Sequence, residues 1–244
     1  MKINSKIKII AFDADDTLWV NEPYYRGIEK KYTDLLSAYL PENEINKRLL
    51  ETETKNIHLY GYGVKGFVLS MIETALQITE KQENNQLVEK IIALGKELIN
   101  VPLVLLEGVK ESLQEIKKQG IKMVLATKGD LLDQERKLSN SGLENCFDHI
   151  EIMSNKKESD YQKLLNRLNV LPEEFLMVGN SVKSDVLPVL ALGAYAIHIP
   201  YHTTWAHENV QNHAQDDIHF KEISAISEIL PIIERNRNAF FDFH

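Results

Sequence analysis

Five short apolar or β-branched runs constrain this chain more than any other feature: residues 7–12 (IKIIAF), 121–127 (IKMVLAT), 148–153 (DHIEIM), 174–179 (EFLMVG) and 194–199 (AYAIHI). Segments with helical patterning separate each run from the next. They include 107–119, closed by Gly120, then 130–141 before Gly142, 158–169, and 182–192 before Gly193. Glycine just past a periodic segment is a helix stop. Strands that alternate with helices through short connections imply a doubly wound parallel sheet with right-handed crossovers, an α/β core.

One interval breaks the alternation. Between Asn21 and Pro102, apolar positions in YYRGIEKKYTDLLSAYL, VKGFVLSMIETALQI and LVEKIIALGKELI recur at three- and four-residue spacings. That is the pattern of amphipathic helices packed on one another. The expected organisation is therefore a core of residues 1–20 and 103–244, with 21–102 as an all-helical insert.

With 244 residues, 43% hydrophobic and 26% charged, the chain can bury a sizeable core. Its net charge of −8 disfavours broad attraction to nucleic acid or an anionic membrane, and a small ligand or a cation suits it better. Cys146 is the single cysteine, so no disulfide framework exists. The start, MKINSKIKIIAF, has too short an apolar run for a secretory signal, and Val186 to Ile199 falls short of a membrane span. A cytoplasmic location is expected.

The chemistry begins at IIAFDADDTLWV, where the first apolar run meets Asp13, Asp15, Asp16 and Thr17. In extended chain, residues two apart face the same way, so Asp13 and Asp15 are expected on one side at the carboxyl edge of the sheet. Ligands of open α/β sheets bind beyond that edge, and two neighbouring carboxylates there call for a cation or a proton. Oxygen-only ligation suits Mg²⁺. On its own, DADDT could also serve as a helix cap or turn.

The other strand ends bring complementary groups to the same edge. IKMVLA ends in Thr127, Lys128, Gly129 and Asp130; HIEIM runs into Ser154, Asn155, Lys156 and Lys157; FLMV ends in Gly179, Asn180, Ser181 and then Asp185. A hydroxyl, an ammonium and further carboxylates are what metal-assisted phosphoryl transfer needs.

On these residues the chain resembles the haloacid dehalogenase superfamily, whose first motif, DxDxT, reads Asp13-Ala14-Asp15-Asp16-Thr17 here. Four motifs occur in that family's order, and the insert falls where the family carries its helical cap of the first type. The resemblance implies a Rossmann-like core and a phosphatase. In it Asp13 is the nucleophile, Asp15 the acid/base, Thr127 the holder of a phosphoryl oxygen, and Lys156 or Lys157 the neutralising lysine. It also implies Mg²⁺ held by Asp13, the Asp15 backbone carbonyl, Asn180 and Asp185. Two departures stand out. Asn180 replaces the usual aspartate after glycine, and the lysine motif SNKKESDY lacks its usual proline. Lys156, five residues before Tyr161, is the preferred lysine.

Asp15 favours phosphate transfer over carbon–halogen cleavage. A phosphonatase would need a cap lysine for a Schiff base; Lys65 could be proposed for it, but a cap lysine is more often simply a surface charge. Gly61-Tyr62-Gly63-Val64-Lys65-Gly66 matches GxGxxG, but no apolar strand precedes it, so no dinucleotide fold is expected. This loop is either an ordinary interhelical turn or a substrate-selecting one with Tyr60, Tyr62 and Lys65 as contacts; Lys128 and Gly129 are the corresponding core candidates. His198, His202 and His207 around Trp205 match no zinc pattern, and packing by Trp205 is the expected role. The terminal FFDFH is expected to be frayed or docked. The expected substrate is a small phosphorylated metabolite, since an insert of this size should obstruct macromolecules. A weakened module that binds a phosphorylated ligand without turnover is the alternative.

Overall fold

The computed structural model describes residues 7–80, 85–203, 205–208, 214 and 216–238; the FFDFH tail lies outside them. The chain divides into two compact units. One is formed by Met1–Val20, Leu103–Lys128 and Lys137–His244, the other by Asn21–Pro102 and Gly129–Arg136.

The first unit holds a six-stranded sheet of β1 (Ile9–Phe12), β2 (Lys122–Lys128), β3 (His149–Met153), β4 (Phe175–Gly179), β5 (Tyr195–His198) and β6 (Phe220–Glu222). The order is β3-β2-β1-β4-β5-β6, with every pairing parallel. β1 is buried at all four positions, as a central parallel strand covered on both faces must be. The period of two sorts its residues between two cores. Ile10 and Phe12 join Val109, Leu113, Ile116, Ile229 and Ile232 on one face, while Ile9 and Ala11 join Tyr161, Leu164, Leu165 and Val189 on the other. Helices thus cover both faces, and the sheet is doubly wound.

The strand order reverses at β1: β2 and β3 lie to one side, β4 to β6 to the other. The crevice beyond the carboxyl end of β1 is the switch point at which such sheets bind ligands.

The second unit is helical, with α1 (Glu22–Leu36), α2 (Glu42–Tyr60), α3 (Val64–Ile78) and α4 (Asn85–Ile99). Ile28, Tyr32 and Leu36 recur every four residues on α1 and meet Ile45, Leu49, Phe67, Met71 and Ile91 in one core. The Tyr32 hydroxyl donates to the Met71 carbonyl at 2.9 Å, which satisfies the one polar atom that ring carries into the core.

Of the remaining helices, α5 (Val109–Lys118), α6 (Leu131–Ser141), α7 (Glu158–Leu168) and α8 (Leu187–Leu190) lie between strands, and α9 (Ile229–Asn238) follows the last one. The single helix expected over 182–192 is instead a π-helical turn, Val182–Val186, followed by the short α8. Pro188 explains the change. It has no N–H for the carbonyl of Ser184, four residues back, and its ring crowds that position. The Ser184 carbonyl accepts from the Tyr161 hydroxyl at 3.0 Å instead.

Candidate active site

The Asp13 N–H still donates to the Val178 carbonyl at 2.9 Å, but the side-chain alternation of β1 has ended. The Ala14 carbonyl accepts from Leu18 N–H at 2.8 Å, and Asp16 takes a left-handed φ of 59°. Aspartate tolerates that conformation better than most residues. The chain leaves the extended form at Phe12, and the two carboxylates take different hydrogen-bond partners, although the charge of Asp15 still acts on Asp13.

Asp13 turns into the edge of the sheet. Its Oδ1 accepts from Lys156 Nζ, and Thr17 Oγ1 lies 3.1 Å from its Oδ2 and 3.3 Å from Asn180 Oδ1, so one hydroxyl proton serves two acceptors. Lys156 Nζ also reaches Asp185 Oδ1 at 2.6 Å. Asp13, Lys156 and Asp185 are all buried. Burial pushes the Asp13 carboxyl up to about 7; Lys156 pulls it down and the like charge of Asp185 pushes it up. For Lys156, burial works against the charge, yet the two carboxylates hold its ammonium above the ordinary lysine range.

Asp185 reaches this group because of Gly179. A Cβ at position 179 would stand 2.3 Å from Asp185 Oδ2 and 2.6 Å from its Cβ. Asp185 Oδ2 is further fixed by the Ser181 N–H at 3.0 Å. Gly179→Ala should accordingly displace Asp185 and lower turnover by about a hundredfold, while a core of this size stays folded. Steady-state kinetics and a melting curve would check both parts.

Asp15 accepts from Trp19 Nε1 at 2.7 Å and from Lys137 Nζ at 2.9 and 3.1 Å. Neither partner was foreseen from the sequence, in which Lys137 is 122 residues away from Asp15. Thr127 is buried at the end of β2, two positions beyond Leu125, the partner of Phe12. Of the two motif lysines, Lys156 enters the buried group, whereas Lys157 is exposed at the start of α7.

Lys128, expected to contact substrate, has its Nζ 2.9 Å from Ser184 Oγ and 2.5 Å from Glu208 Oε1. Tyr62, Lys65 and Gly129 fall in the second unit. There Lys65 Nζ lies 3.0 Å from Asp130 Oδ2, with its side chain largely exposed. Gly129 adopts a φ of 144°, a conformation that suits glycine. His198 bridges Glu222 and the Asn180 carbonyl, at 2.9 and 3.0 Å, while His202 and His207 lie against Tyr201 and Trp205. Since a carbonyl only accepts, Nε2 of His198 carries the proton in that bond.

Two carboxylates and one ammonium leave the buried group with one net negative charge. Asp13, Asp185 and the Asn180 amide oxygen are hard donors of the kind Mg²⁺ takes. Among the described residues, no three His, Cys, Asp or Glu side chains gather in a metal-holding group. The donors gathered at the group are two carboxylates and an amide oxygen, those of Asp13, Asp185 and Asn180.

This arrangement can be compared with known proteins. Residues 7–193 match the model of the haloacid dehalogenase-like hydrolases. The chain belongs to that family. A haloacid dehalogenase-like family hydrolase from Xanthomonas campestris is 34% identical and superposes with a TM-score of 0.83, over 96% of this chain and 95% of that one. A glyceraldehyde 3-phosphate phosphatase from Methanothermobacter thermautotrophicus is 27% identical over 92% of this chain and 100% of its own length. A protein of the same description from Pyrococcus furiosus is 24% identical, over 56% of this chain and 58% of its own length. Among the described residues of this family member, no helix is long and apolar enough to cross a membrane.

Proposed function

We propose that this haloacid dehalogenase-like hydrolase is a Mg²⁺-dependent phosphatase that hydrolyses a small phosphorylated metabolite through an aspartyl-phosphate on Asp13. The observation that carries the reading is the buried Asp13–Lys156–Asp185 group at the switch point of the sheet. The relatives described as glyceraldehyde 3-phosphate phosphatases support the substrate class. A cytoplasmic setting suits a chain whose single cysteine, Cys146, is a free thiol.

In the first half-reaction an Asp13 carboxylate oxygen attacks phosphorus in line, the bond to the ester oxygen breaks, and Asp15 gives that oxygen a proton. In the second, Asp15 takes a proton from water, the water oxygen attacks phosphorus, and the bond to Asp13 breaks to return the carboxylate and release phosphate. Trp19 and Lys137 hold Asp15 for both proton transfers. Thr127 binds a phosphoryl oxygen, and Lys156 keeps Asp13 ionised and offsets the charge on the phosphoryl group. Asp13, Asp185, Asn180 and the Asp15 carbonyl would hold Mg²⁺, which when bound supplies charge that offsets the carboxylates and the phosphoryl oxygens. The catalytic work is assigned to the first unit and substrate selection to the helical unit, with Tyr62 and Lys65 as its candidate contacts.

Phosphate release from p-nitrophenyl phosphate and from a panel of small sugar phosphates tests the proposal. The expected result is turnover that requires Mg²⁺, stops with EDTA, and leaves a hydroxylamine-sensitive phosphoryl group on acid-quenched protein. Folded, Mg²⁺-loaded protein that releases phosphate from none of them would leave only a module that binds a phosphorylated ligand.

A further inference from the structure

Glu208 lies in a segment that the mechanism does not use. It ends a single 3₁₀ turn, Ala206–Glu208, after β5, and Lys183 Nζ holds the His207 carbonyl of that turn at 2.7 Å. The Glu208 side chain is 9% exposed, yet it is fully engaged. Its Oε1 faces Lys128 Nζ at 2.5 Å, and its Oε2 accepts from Ser181 and Ser184 Oγ, each at 2.6 Å. Burial opposes its charge, but Lys128 and the two hydroxyls hold the carboxyl down at about 2.

All three partners belong to the catalytic edge. Lys128 directly follows Thr127, Ser181 caps the turn that delivers Asp185, and Ser184 lies within it. Lys128 is close enough to Lys156 and Asp185 for their charges to act on its own. Without Glu208, a second buried ammonium would stand beside the place where a doubly charged phosphate has to enter and from which it has to leave.

We propose that Glu208 is an internal counter-anion that holds Lys128 and thereby limits how tightly the site grips inorganic phosphate. The inference rests on the first unit receiving a phosphoryl group, as in the reading above. Lys128 is then a positioned, compensated charge, and Glu208 sets product affinity with no contact to the reacting atoms. A phosphatase gains from this, because product held too firmly slows the next turnover.

Isothermal titration of inorganic phosphate into the full chain with Mg²⁺ reads the effect directly. Glu208→Gln keeps the shape and removes the charge, so phosphate should bind about tenfold tighter, as a unit charge at intermediate range dictates. Lys128→Met leaves an unpaired anion facing phosphate and should weaken binding by about the same factor. The double variant, neutral again, should return to within about threefold of the parent. A merely structural Glu208 would not produce gain, loss and restoration in that order.

Unchanged or weaker binding in Glu208→Gln would overturn the proposal, as would a double variant as weak as Lys128→Met. Should Glu208→Gln fail to fold, the comparison of the double variant with Lys128→Met still decides. Phosphate binding that follows this pattern without ester turnover would remove the phosphatase reading and keep the inference. Turnover without the pattern would do the reverse.

Discussion

Asp13→Asn should abolish phosphate release, with a loss of at least about a thousandfold, and should at the same time make the cation-free protein more stable at pH 8. The first effect follows because an amide oxygen cannot form and release the acyl phosphate. The second follows from burial. Asp13 is raised from 3.8 to about 7 because its charged form is desolvated, with Lys156 opposing and Asp185 adding to the rise. A carboxyl that titrates higher in the folded state binds its proton more tightly there. Its stabilising contribution is complete below pH 3.8 and is lost as pH climbs through about 7. At pH 8 the parent carries a buried charge that the asparagine variant lacks, and Lys156 then forms a one-to-one pair with Asp185.

The gain is about 2 kcal/mol once relaxation and the pull of Lys156 are allowed for. Melting curves without divalent cation at pH 5 and pH 8 would show it as a fall in the parent that is much smaller in the variant. An Asp13→Asn protein that melts below the parent at pH 8 would contradict this account of the site. Activity and stability are opposed here at one residue, as expected where a charge is buried for chemistry.

How much of this was legible in the sequence depends on the distance over which each signal acts. Strands β1, β2, β4 and β5 announced themselves as short apolar runs, because a central parallel strand must be apolar on both faces, and the edge strand β3 did so through the apolar and β-branched residues of HIEIM. β6 was missed. It has three residues, of which only Phe220 is buried, and an edge strand with two exposed positions has no period to read. The ends of the strands were legible too, and they show which residues gather at the edge. Asp13, Lys156 and Asp185 meet because parallel register aligns the carboxyl termini of β1, β3 and β4.

What those residues touch was not legible. The turn after Phe12 includes a left-handed Asp16, and Asp13 and Asp15 take different hydrogen-bond partners around it. Lys137 reaches Asp15 from α6, and Glu208 reaches Lys128 from a segment whose sequence advertised only histidines and Trp205. Gly179 carried no signal either, since only the folded π-helical turn reveals that Asp185 presses against it.

The same electrostatics predict the behaviour of Lys156→Met, the most damaging single change expected in the site. Lys156 is the cation between two buried carboxylates, so its removal leaves Asp13 and Asp185 facing each other as like charges. Breaking a buried pair from one side costs about 3–5 kcal/mol, and loss of the ammonium beside the phosphoryl group should cost turnover on the order of a thousandfold. The sign with pH is fixed. Lys156 lowers the Asp13 pKa, so without it Asp13 binds its proton more readily in the fold. The destabilisation therefore deepens as pH rises and eases as Asp13 protonates on acidification.

Mg²⁺ should restore part of the lost melting temperature, because a divalent cation replaces the missing charge. Lys157→Met, at an exposed neighbour, should shift stability by less than about 0.5 kcal/mol. Thermal denaturation of the two variants at pH 5 and pH 8, with and without Mg²⁺, separates these effects. A Lys156→Met protein as stable as the parent at pH 8 without cation would mean that Asp13 and Asp185 do not share a buried charge. A melting point that Mg²⁺ leaves unmoved would place the metal elsewhere.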